Sequence, residues 1–165
     1  MNYLIISLGI FVILATSRFI PHPPNFTSLI ALSFYIPLFL GKIFIPALIL
    51  SFLITDYFIG FHNLTLFTWG SVLIIGLISN FFNKNIYYRI GGILTSCVIF
   101  FVITNLGVWL FGNYEYTLNG LITCFVLAIP FFGYTIASSI LYSALIEIIY
   151  NFNFIKRTIN NYYIS

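Results

Sequence analysis

Charge is almost absent from this chain. Its 165 residues include six Lys or Arg and three Asp or Glu, and long apolar stretches lie between them. A soluble domain carries about a quarter charged residues. With 5 % charged and 61 % hydrophobic residues, this chain could not cover a water-facing surface. In a bilayer the difficulty vanishes, because side chains that face lipid should be apolar. A spanning helix needs roughly 20 residues, so a chain of this length holds about six or seven spans and no soluble domain. The expectation is an all-α, polytopic membrane helix bundle forming a single integral membrane domain over residues 1–165.

The few polar signals exclude several function classes. Cys97 and Cys124 lie in apolar runs, with no Cys or His at metal-ligand spacing, and read as small core residues. The net charge of +3 comes from scattered residues, so it reads as topology information and not as a nucleic-acid surface. The apolar first twenty residues lack a basic start and a small-residue cleavage site, and read as a retained first helix. No H-E-x-x-H, G-x-S-x-G or phosphate loop occurs, and no carboxylates are paired, so no enzyme, cofactor or metal centre is expected. Abundant Phe, Ile, Asn and Tyr suggest an AT-rich bacterial genome, where Asn25-Phe26-Thr27 and Asn63-Leu64-Thr65 match the glycosylation pattern by chance.

Breaks in hydropathy place the spans at Tyr3–Ile20, Phe26–Gly41, Ile43–Phe61, Leu66–Phe82 and Ile90–Gly112. The first stops at Pro21-His22-Pro23-Pro24, and Pro46 sits where a helix start tolerates proline. The final stretch, Leu118 to Tyr150, is too long for one ordinary span and contains Pro130 and Gly133. The positive-inside rule chooses its division. With six spans and a cytoplasmic N-terminus, Lys42, the Lys84/Arg89 loop and the Lys156-Arg157 tail all lie inside. Seven spans would put that tail outside. Leu118–Ile129 is therefore expected as a short outer helix and Phe131–Tyr150 as the sixth span, with both termini cytoplasmic in a bacterial inner membrane.

In this topology the unusual polar residues gather in the outer half. Arg18 ends span one, Asp56 lies in the outer third of span three, and Thr104, Asn105 and Trp109 lie in the outer half of span five. His22, Asn25 and His62 are in outer loops, and Tyr134 with Thr135 opens span six. A charge within a span costs about 2.5–3.5 kcal/mol at mid-helix, and opposite charges at one depth offset that cost by pairing. Arg18 and Asp56 therefore either wall an outward-facing pocket or form an interhelical ion pair that fixes packing. The other candidates carry similar alternatives: interhelical bonding for Asn105, interface anchoring for Trp109, and a loop role for His22 and His62. The candidate ligand-binding set is Arg18, His22, Asn25, Asp56, His62, Asn105, Trp109 and Tyr134, with no catalytic or metal residue.

Four runs carry a resemblance: Arg18-Phe19-Ile20-Pro21-His22-Pro23-Pro24-Asn25-Phe26-Thr27, Asp56 to His62, Thr104 to Trp109, and Ile129-Pro130-Phe131-Phe132. Together they resemble a family of small, functionally uncharacterised bacterial inner-membrane proteins over nearly the whole chain. More distantly, the layout resembles the substrate-binding S components of energy-coupling factor (ECF) vitamin transporters. Those have six helices, capture a vitamin or a metal from the outer side, and often open their last span with a Pro-Phe turn, as at Pro130-Phe131. Span one departs from them in lacking an Ala-x-x-x-Ala docking face; Gly9 and Ala15 stand at another spacing.

The resemblance implies a small-molecule binding or uptake protein whose partners are the bilayer, a small solute and a transport module or a second copy. A structural or scaffold membrane protein is the alternative, to be told apart by whether Arg18 and Asp56 border a cavity.

Overall fold

The structure, a computed structural model, describes residues 3–112 and 114–151. The Lys156-Arg157 tail lies outside them. Among the described residues six α-helices follow one another and no strand occurs: α1 Tyr3–Phe19, α2 Leu29–Leu40, α3 Ile45–Ile59, α4 Thr65–Ile78, α5 Ile86–Phe111 and α6 Leu118–Asn151. Short 3-10 turns, Lys42–Phe44 and Ser79–Phe82, lead into α3 and extend α4. Four stretches are long and apolar enough to cross a bilayer: Lys42–Ile59, Thr65–Phe82, Ile86–Phe111 and Leu118–Asn151. The helical membrane bundle expected from composition is what forms.

α2 is the hub. It spans 12 residues, about 18 Å at 1.5 Å per residue, well short of the roughly 30 Å hydrocarbon layer. Ten of the 12 residues are buried, and α2 packs against each of the other five helices. A helix that is apolar on every side belongs in a protein core. Its shortness follows, because helices that do not meet lipid have no need to reach both interfaces. Phe34, Tyr35 and Leu38 of α2 meet Phe52 of α3, Val72 and Ile75 of α4, and Ile93 and Phe100 of α5 in one continuous core.

Close helix packing needs glycine at two positions of α5. A Cβ on Gly92 of α5 would lie 2.5 Å from the Phe34 ring and 2.7 Å from Phe82, and one on Gly107 would lie 2.6 Å from Phe67 of α4. The outer surface is apolar instead of charged: Tyr57, Phe58, Leu66, Phe81 and Tyr87 are each more than 70 % exposed. In lipid that exposure is a solvated state.

Ring contacts fix the two ends of the bundle. At one end Tyr3 meets Phe44, and Phe39 stacks on Tyr150 at 4.0 Å with planes 6° apart. At the other, Phe19 meets Phe58 and Phe67 meets Phe111. The second is called the Arg18 end below.

The expected division at Pro130 is not seen. α6 runs unbroken for 34 residues with Pro130 inside it, so Leu118–Ile129 and Phe131–Tyr150 are one helix. Proline removes a single N–H and bends a helix without having to end it, and in membrane helices nearby hydroxyls make good the loss. α5 also starts earlier than hydropathy suggests. Asn85 caps it by accepting from the Tyr88 N–H at 3.1 Å, which brings Arg89 into the helix and out of the loop where its charge had placed it.

A candidate ligand cavity at the Arg18 end

The loop between α1 and α2 is built, not slack. His22 Nδ1 donates to the Pro23 carbonyl at 2.8 Å, and the Phe26 N–H returns to the same carbonyl at 3.0 Å. Asn25 takes φ 62°, a left-handed conformation that Asn accepts more readily than other side-chain-bearing residues. Its carbonyl then receives Ser138 Oγ of α6 at 3.3 Å. The Ser17 and Ser28 hydroxyls meet at 2.7 Å and tie the end of α1 to the start of α2.

Arg18 and Asp56 meet, as their signs and depth suggested. Arg18 Nη2 lies 2.5 Å from Asp56 Oδ1, and Nη1 donates to Thr55 Oγ1 at 2.5 Å. Trp69 Nε1 of α4 donates to Asp56 Oδ2 at 2.8 Å, so both carboxylate oxygens are occupied. The guanidinium also stands 5.6 Å from the centre of the Phe52 ring. A charged pair removed from water needs this degree of saturation.

Beside the pair lies a cavity of about 590 Å³, within the range of small-molecule sites. Arg18, His22, Asn25, His62 and Asn105 line it, five of the eight candidates read from the sequence. Asp56 does not; it stands behind Arg18 as its counter-charge. Trp109 and Tyr134 do not line it either. Trp109 Nε1 is engaged with the Glu115 carbonyl at 3.0 Å and its ring with Tyr116, while Tyr134 is 43 % exposed. Loop residues Pro24, His62 and Tyr114 give the cavity a polar and aromatic rim, and buried Ile30, Phe100, Cys124 and Ala128 form its inner wall.

Sequence reasoning missed Cys124, Thr68 and Ser138 as lining residues. Each sits in an apolar run, where small side chains ordinarily pack. It also missed a second cluster at the opposite end. Arg89 Nε and Nη2 of α5 grip Glu147 of α6 at 2.5 and 2.9 Å, and the Tyr35 hydroxyl of α2 donates to the same carboxylate at 2.9 Å. A usable signal existed: Glu147 is the one acid in the last apolar stretch, and such a charge calls for a partner at its own depth.

What the cavity can do is bind, by shape, ring contact and hydrogen bonds. Among the described residues no three of His, Cys, Asp and Glu gather as metal ligands would. No curated protein and no solved structure matches the chain. The sequence does match a family profile: the chain belongs to DUF6580, a family of unknown function, whose profile matches residues 1–161.

Proposed function

We propose that the chain is a small-molecule binding or uptake protein of a bacterial inner membrane, working like the S component of an ECF transporter. The Arg18 end faces outward and both termini face the cytoplasm. The observation that carries this reading is the cavity of about 590 Å³, which is bordered by residues from the loops at one end and from the core. Lys42 and Lys84 at the opposite end support the orientation, because basic loops stay on the cytoplasmic side. The absence of a three-ligand cluster among the described residues favours an organic solute over a metal. In this reading the run Arg18 to Thr27 is a signature of the family, since it supplies both the rim and the loop that anchors to α6. The partners are the bilayer, the solute and a transport module or a second copy.

A scaffold role is the second reading. It draws on the Arg18–Asp56 pair, which is closed on itself and keeps Asp56 out of the cavity. Thermal unfolding of the purified full chain in detergent, scanned against water-soluble metabolites, separates the two. A ligand present at 100 times its Kd stabilises by about 2.7 kcal/mol, so a binding protein shows a clear rise in Tm. An unmoved Tm across the whole scan supports the scaffold.

A further inference from the structure

Four hydroxyls of the cavity wall have spent their protons on the chain itself. Thr68, Thr104, Thr135 and Ser138 all line the cavity. Each donates its hydroxyl proton to backbone carbonyls: Thr68 to Leu64 at 3.3 Å, Thr104 to Phe100 at 2.8 Å, Thr135 to Phe131 at 2.9 Å, and Ser138 shares its proton between Thr135 at 3.1 Å and Asn25 at 3.3 Å. A hydroxyl has one proton, so toward a guest these four can only accept. Asn105 spends an amide N–H on the Phe101 carbonyl at 2.7 Å and keeps its Oδ1 as an acceptor. His22 Nδ1 is spent on the Pro23 carbonyl, and His62, whose Nδ1 accepts the Leu64 N–H at 3.2 Å, supplies a donor at the rim.

Its charge is equally restricted. The chain has three acids in all. Asp56 is saturated by Arg18 and Trp69, Glu147 is held by Arg89 at the opposite end, and Glu115 does not line the cavity. A cation would enter without a counter-charge and beside a guanidinium. An anion would find that guanidinium already committed to Asp56 and Thr55. Neither would find an unpaired counter-charge to offset its lost water, which is costly. The remaining wall includes Phe100, Phe101 and Phe131, whose side chains suit a flat ring.

Building on the reading of this cavity as a small-molecule site, we propose that its ligand is an uncharged, flat heterocycle bearing several O–H or N–H donors. The donors meet the spent hydroxyls and Asn105 Oδ1, and the ring meets the phenylalanines.

The test is equilibrium dialysis of the purified full chain in nonionic detergent at pH 7.5 against heterocycles in matched charge states. The series are nicotinamide, nicotinate and 1-methylnicotinamide; pyridoxine, 4-pyridoxate and pyridoxamine; and riboflavin with its 5′-phosphate. The uncharged member of at least one series should bind about tenfold or more tightly than its charged partners. Thr104→Val, which keeps the side-chain shape, and Asn105→Leu should each weaken that binding by about tenfold. Equal or tighter binding of a charged member, lost in the same variants, overturns the uncharged ligand and leaves the small-molecule site standing. Binding that both variants leave unchanged is partition into the micelle and overturns the proposal. No binding in any series overturns it together with the reading beneath it.

Discussion

Arg18 Nη2 and Asp56 Oδ1 lie 2.5 Å apart, joining the last turn of α1 to the last turn of α3. Their side chains are 14 % and 4 % exposed, so each is the other's main compensation for lost solvation. Removing one strands the other, at a cost of about 3–5 kcal/mol. Arg18→Leu and Asp56→Leu should therefore each lower Tm sharply in detergent. The double variant should be less destabilised than the sum of the two, with the Trp69 N–H as the remaining orphan. Additive losses would show that the pair contributes nothing as a pair.

Adjacent glycines on α5 offer an internal control. A methyl group added at Gly91 would meet nothing within 4 Å, whereas one at Gly92 would run into Phe34, which is fully buried. Gly91→Ala should be neutral or stabilise by up to about 1 kcal/mol through helix propensity. Gly92→Ala should destabilise by about 1–3 kcal/mol, because the Phe34 ring has nowhere to go. Thermal unfolding of the two variants beside the parent checks both signs.

Much of this was legible in the sequence, for physical reasons that differ between elements. Scarce charge dictated the bilayer, and the opposite signs of Arg18 and Asp56 at one depth dictated their meeting. The cavity rim was legible because His22, Asn25 and His62 interrupt apolar runs. The inner wall was not, since Cys124, Thr68 and Ser138 are the residues any packed helix pair uses. Pro130 misled because proline at mid-helix marks a bend as readily as an end. Arg89 misled because a positive charge near a span reads as topology, whereas Asn85 caps the helix early enough to carry it inward to Glu147.

The cysteines report on access to the cavity. Cys124 lines it, and Cys97 is buried without lining it. Methyl methanethiosulfonate, small and uncharged, should modify Cys124 well before Cys97 in the folded protein, as read by peptide mass. Faster reaction at Cys97, or equal silence at both, would mean that the cavity does not admit solutes from outside.

Orientation is tested by single cysteines in the loops. Asn63 and Asn83 are both exposed, in the connections at opposite ends of α4. In intact cells Asn63→Cys should react with a membrane-impermeant maleimide and Asn83→Cys should not, until the membrane is opened. The reverse pattern would place the Arg18 end in the cytoplasm.

The central claim is that the cavity beside Arg18 holds a small organic molecule. Its most direct test is native mass spectrometry of the full chain, released from detergent after purification from its own membrane, beside an Ala128→Phe variant that fills the inner wall. The account predicts a parent mass raised by one small molecule, with the increment absent from a variant that remains folded. A parent spectrum at the bare polypeptide mass, unchanged by any added candidate, would contradict it.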